Sequence, residues 1–81
     1  MTFNEAARQL EEEGVPPDAY AINRVGLDDT YTLSEEGTYF EVYYCERGSK
    51  VGLRKFATET EACEYFVPLV LSVTKRHAEG D

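Results

Sequence analysis

The nineteen residues from Thr38 to Phe56 constrain this chain more than any other stretch. Thr-Tyr-Phe-Glu-Val-Tyr-Tyr-Cys-Glu and Lys-Val-Gly-Leu-Arg-Lys-Phe flank a polar Arg47-Gly48-Ser49 break, and β-branched and aromatic residues are dense on both sides of it. This pattern predicts a β-hairpin in which Gly48 takes the positive φ that a bulged or longer loop needs. Side chains alternate along a strand, so Phe40, Val42 and Tyr44 fall on one face and Tyr39, Glu41, Tyr43 and Cys45 on the other. The first set is the better core candidate. Thr58 and Glu61 then carry Thr-x-x-Glu spacing, which predicts a capped helix start directly after the hairpin.

Upstream, Thr2 and Glu5 repeat the same capping spacing, and Phe3, Ala6, Ala7 and Leu10 lie on one helical face. A first helix is predicted over residues 1–13. Glu11, Glu12 and Glu13 oppose the helix dipole at its end, and Gly14 stops it. Pro16 and Pro17 force an extended entry to a short strand over Ala19 to Asn23, with Tyr20 and Ile22 in register. A Val25–Asp29 turn with an acidic tip leads to a second strand, Thr30 to Leu33, and Ser34-Glu35-Glu36-Gly37 turns the chain into the hairpin.

After the hairpin, Ala62, Phe66, Leu69, Val70 and Val73 share one helical face over residues 59–74. Pro68 predicts a kink near Val67, with a helix ending at Phe66 and a following strand as the alternative. Residues 75–81 read as a frayed polar tail. The expected fold is α+β in the order α-β-β-β-β-α: a four-stranded antiparallel meander over residues 19–56, flanked by N- and C-terminal helices in two layers. If both helices pack on one sheet face, the face bearing Tyr39, Glu41, Tyr43 and Cys45 stays wet, joined by Leu53 or Arg54 according to register.

Eighty-one residues suffice for one domain with a single core. No apolar run approaches the length of a membrane span, and the first residues are acidic where a secretory signal would be basic, so a cytoplasmic location is expected. Cys45 and Cys63 read as reduced core thiols, their pairing being the alternative. The lone His77 and the absence of Cys-x-x-Cys or His-x-x-x-His spacing argue against a metal site or a histidine base, and no phosphate loop or nucleophile motif is present. No catalytic residue, metal or cofactor is therefore expected.

Charge is the strongest compositional signal. Residues 1–46 hold eleven acids and two bases, whereas residues 47–81 hold five acids and six bases. Such a field repels nucleic acid and anionic membranes and speeds encounter with a cationic partner; equally, an acidic surface keeps a small protein soluble. Tyrosines on an open sheet face offer rigid contact area, or pair across strands for stability alone.

Val42-Tyr43-Tyr44-Cys45-Glu46-Arg47-Gly48, Phe56, and Glu59-Thr60-Glu61-Ala62-Cys63-Glu64-Tyr65-Phe66 resemble a group of small bacterial immunity proteins encoded beside polymorphic toxins. In that group a strand ending Tyr-Tyr-Ser-Glu-Arg-Gly leads to a phenylalanine and a helix opening Glu-x-Glu-Ala-Cys; Cys45 replaces the usual serine, and Pro68 departs from the pattern. The likeness covers about residues 40–71 and implies an inhibitor, monomeric in a 1:1 complex, that covers the active site of a cognate basic toxin, such as a nuclease or a nucleotide-targeting enzyme. The resemblance implies contacts on the variable acidic loops. Asp28, Asp29, Glu35 and Glu36 at loop tips, with Tyr39, Glu41 and Tyr43 on the open face, are the candidate partner-binding residues. An acidic nucleic-acid mimic and a small ligand-binding domain or enzyme stand as alternatives.

Overall fold

The computed structural model describes residues 1–24, 26 and 28–79, the side chains of 75–79 excepted. Val25 and Leu27 of the expected turn, and the side chain of His77 with the end of the expected tail, lie outside the described residues. The elements are α1 (Phe3–Glu12), a single 3-10 turn (Pro17–Ala19), β1 (Tyr20–Ile22), β2 (Thr30–Glu35), β3 (Phe40–Glu46), β4 (Ser49–Phe56) and α2 (Glu59–Glu79).

Both helix starts form as the Thr-x-x-Glu spacing predicts. Thr2 Oγ1 accepts from the Glu5 amide while the Glu5 carboxylate accepts from the Thr2 amide, and Thr58 Oγ1 likewise accepts from the Glu61 amide. The backbone bond from Thr2 is also the main reason the Glu5 carboxyl titrates below its ordinary range. Gly14 ends the first helical segment at φ +82°, a left-handed conformation that carries no penalty in glycine. α2 is helical through Pro68, so the alternative of a strand after Phe66 is overturned. Pro68 and Glu64 are both exposed, so the proline interrupts the helix ladder on a face turned away from the core.

The sheet order is β1-β2-β3-β4, as a meander requires, but the sheet is mixed. β2, β3 and β4 are antiparallel neighbours, whereas β1 runs parallel to β2 with Tyr20 opposite Tyr31 and Ile22 opposite Leu33. This corrects the all-antiparallel expectation. A short link ordinarily implies reversal, because a parallel return needs a long crossover. Here β1 has only three residues, about 10 Å at 3.3 Å each, so a seven-residue link over 23–29 can come back to its starting end. Asn23 (φ +55°) and Asp29 (φ +63°) make the bends, the two side-chain types that best tolerate left-handed backbone. The Asn23 amide donates to the Leu33 carbonyl and the Asp29 amide to the Cys45 carbonyl, which fixes both ends of the link.

The β3–β4 turn is tighter than expected. Glu46 pairs with Ser49, leaving Arg47 and Gly48 as a two-residue turn with both φ positive. The irregularity lies inside β4 instead: between Val42 and Tyr44, β3 has one residue where β4 has Gly52 and Leu53, and Gly52 takes φ +65°.

One cluster forms the core: Ala6 and Leu10 of α1, Val15, Tyr20, Leu33 and Val42 of the sheet side, and Ala62, Cys63, Phe66, Val67 and Val70 of α2. Edge-to-face ring contacts tie the elements together, Phe3 with Phe40 and Tyr20 with Phe66. Of the expected core, Val42 and Phe66 are fully enclosed while Phe40, Tyr44, Phe56 and Leu69 are half-buried at its margin. No described helix is long and apolar enough to cross a membrane.

Candidate functional site

Strand alternation and the observed register put Ala21, Thr30, Thr32, Ser34, Glu41, Tyr43 and Cys45 on the sheet face opposite the core, with Lys50 and Lys55 from β4. This face is not the open surface that alternation alone suggests. Gly26 lies over it, against Ala21, Thr30 and Thr32, and the Cys45 thiol lies 3.8 Å from the Gly26 carbonyl. Thr30 and Thr32 are buried there, and the Thr32 hydroxyl has no hydrogen-bond partner among the described residues.

Glu41 requires the largest correction. Its side chain, expected to be wet, is only 5 % exposed, and the carboxylate is held by the Lys50 ammonium at 2.8 Å. The same ammonium lies 5.0 Å from the Tyr43 ring centroid, and Lys55 sits 5.0 Å from that of Tyr39. The hydrogen bond to Glu41 raises the Lys50 pKa above its ordinary value. Thus Tyr39, Glu41 and Tyr43 are brought together as expected, but two lysines that sequence reasoning left out already engage them. The register also assigns Arg54 to the other face, where its guanidinium lies 5.5 Å over Tyr65.

The four loop acids are all exposed, yet they do not form one patch. Asp28 and Asp29 precede β2 and Glu35 and Glu36 end and follow it, so six strand residues put roughly 20 Å between the two pairs at about 3.3 Å per residue. Glu36 accepts a hydrogen bond from Ser34 on the opposite face, and the Glu35 amide donates to the Asn23 side chain. At the other end the Asp29 carboxylate accepts from the Tyr44 hydroxyl at 3.0 Å. That bond is the main cause of a raised Tyr44 pKa.

Asp29 belongs to a feature the linear pattern does not reveal. On the core side of the sheet, beyond the enclosed cluster, the rings of Tyr31 and Tyr44 meet at a tilt, 4.9 Å between centroids, and form one wall of a hollow of about 520 Å³. Val70 and Val73 of α2 line it, with Pro16, Ala19 and the Asp29 side chain. A second hollow of about 260 Å³ adjoins on the β4 side, reached past Tyr65, Leu69 and the 45 % exposed Val51. Tyr44 and Val51 are the cross-strand pair at one end of the β4 bulge, and the strand glycine Gly52 is the local signal that marks it.

Comparison with models of known protein families, with curated proteins and with solved structures finds no match.

Among the described residues no three His, Cys, Asp or Glu converge as metal ligands. Cys63 is enclosed in the core, and burial pushes its thiol up to about 11 from the ordinary 9.0. It therefore stays protonated and unreactive near neutral pH. Both cysteines are free, Cys63 as a core residue and Cys45 half-buried on the opposite face, which corrects its reading as core. What the arrangement offers is contact: exposed carboxylates at two ends of the sheet and a tyrosine-walled hollow between sheet and helix.

Proposed function

We propose that this protein is an inhibitor of a basic protein, an immunity protein that binds a bacterial toxin domain in the cytoplasm and covers its active site. The observation that carries this reading is the imbalance in how charge is used. Lys50, Arg54 and Lys55 of β4 are engaged on Glu41, Tyr43, Tyr65 and Tyr39, and Arg24 donates to the Pro17 and Tyr20 carbonyls. Among the described residues only one carboxylate, Glu41, is in an ion pair, although the chain has sixteen acids. Four of the cations thus satisfy the protein's own rings, carbonyls and Glu41, while Asp28, Asp29, Glu35 and Glu36 are exposed and in no ion pair among the described residues, which favours encounter with a cationic surface.

The hairpin and helix that carry the immunity-protein resemblance support the same reading as scaffold: Arg47-Gly48 makes the turn and Thr58 caps α2. In this view a two-layer scaffold holds the acidic tips, and a toxin with a nucleic-acid or nucleotide cleft supplies the complementary basic surface.

The test is to purify the product of the neighbouring toxin-like reading frame and follow its association with this protein against salt. Changing Asp28, Asp29, Glu35 and Glu36 together to their amides should slow association by about tenfold or more at low salt and flatten its salt dependence. Amide changes at Glu61 and Glu64 on exposed α2 positions are the control. An unchanged rate and salt slope in the quadruple variant would place the interface elsewhere, and loss of the complex to competing duplex DNA would favour a nucleic-acid mimic.

A further inference from the structure

The chain has six tyrosines, and their surroundings divide them. Tyr20 is in the core against Phe66. Tyr39, Tyr43 and Tyr65 each have a cation of the chain itself over the ring, at 5.0, 5.0 and 5.5 Å. Tyr31 and Tyr44 remain, and among the described residues no lysine or arginine lies over either. Their rings contact each other at 4.9 Å between centroids with the planes tilted by 58°, both are half-buried, and they wall the 520 Å³ hollow.

The hollow has the composition of a cation site. Its floor is aliphatic, from Val70 and Val73, and among the described residues it includes one carboxylate, Asp29, and no base. One Asp29 oxygen accepts from the Tyr44 hydroxyl, which orients the carboxylate and leaves it further acceptor capacity. The Tyr44 hydroxyl also feels the negative charges of Asp29 and Glu46, so the field at the mouth is attractive to a positive group. A neutral apolar ligand would leave that carboxylate desolvated and unmatched, which costs free energy. A cation with an aliphatic stem leaves nothing unmatched.

Arginine fits better than lysine because its planar guanidinium stacks on tyrosine faces and binds carboxylate side-on, while its methylenes cover aliphatic surface. We propose that the Tyr31–Tyr44–Asp29 hollow receives an arginine side chain of the partner protein, stem against Val70 and Val73 and guanidinium between the tyrosine wall and Asp29. This assignment rests on the reading above that the partner is a basic protein, and it names that partner's anchor.

The experiment needs no partner. N-acetyl-arginine methylamide is titrated into the intact protein and followed by NMR at the Val70 and Val73 methyls and the Tyr31 and Tyr44 rings. N-acetyl-citrulline methylamide, of nearly the same shape but uncharged, is the comparison. The expected result is saturable shifts at those four residues with the arginine probe and at least about fivefold weaker binding of citrulline. Asp29→Asn, which keeps an acceptor for Tyr44, should weaken arginine binding by a similar factor, while Glu61→Gln with Glu64→Gln on exposed positions at the start of α2 should leave it within about twofold. Absence of saturable shifts, or equal binding of arginine and citrulline, would overturn the assignment. Failure here would leave the salt-dependent association of the acidic tips standing, whereas failure of that association with a positive titration would keep the site and remove the toxin partner.

Discussion

Lys50 lies over the Tyr43 ring and holds the Glu41 carboxylate at 2.8 Å, so that a side chain placed by alternation on a solvent face is 5 % exposed. The lysine is itself 46 % exposed. Removing it strands a buried carboxylate, but water can reach the vacated position. Lys50→Met should therefore cost roughly 1–2 kcal/mol, below the 3–5 kcal/mol of a fully buried pair. Adding Glu41→Gln should recover part of that loss, because the unpaired charge goes with it. Denaturant melts of the two single variants and the double variant give the coupling; strict additivity would mean the pair contributes nothing.

The placement of Gly26 over the sheet predicts opposite outcomes at two touching positions. Thr32 is fully buried with an unpartnered hydroxyl. Thr32→Val keeps the shape and removes the unmet polar group, and should stabilise by about 1 kcal/mol. Gly26 has no room for a methyl, which would overlap the Thr32 and Thr30 hydroxyls. Gly26→Ala should destabilise by about 1–3 kcal/mol through displacement of the link. Thermal midpoints moving the same way in both variants would contradict this packing.

Alkaline stability should depend on Cys63. The folded state raises its pKa from 9.0 to about 11, chiefly by burial, so the unfolded chain loses the proton first as pH rises. The contribution is complete below pH 9 and is lost as pH climbs toward 11. About two pKa units correspond to at most roughly 3 kcal/mol. Tyr20, raised mainly by burial, and Lys50, raised by its bond to Glu41, act in the same direction at higher pH. Melting scans from pH 8 to 11 should show a steeper fall between 9 and 10 for the parent than for Cys63→Ala. Parallel curves would mean the thiol titrates freely in the folded protein.

Pro68 is exposed inside a continuous α2. It contributes no core surface and interrupts the backbone ladder, so Pro68→Ala should stabilise by about 1–3 kcal/mol. A loss of stability on that change would show that the proline shapes the helix path over the sheet.

Local signals made much of this chain legible. Thr2 with Glu5 and Thr58 with Glu61 announce both helix starts, because capping involves side chains only three residues apart. The Thr38–Phe56 pattern marks the hairpin, and the acidic first half is plain from composition. The strand order followed from short links. The direction of β1 did not: Tyr20–Ile22 pairs parallel to Tyr31–Leu33 of β2 only because the three-residue strand is short enough for its link to return to its starting end, a global distance condition. Gly26 lies against the buried Thr30 and Thr32, and a diagonal lysine buries Glu41, so alternation correctly divides the side chains between two faces but cannot say which face meets water. Tyr31 and Tyr44 are thirteen positions apart in sequence; antiparallel register sets them opposite each other, and the rest of the hollow comes from α2 and the segment before β1. Three-residue chemistry is written in the chain, whereas a cavity between distant elements exists only once the sheet register and the helix position are set.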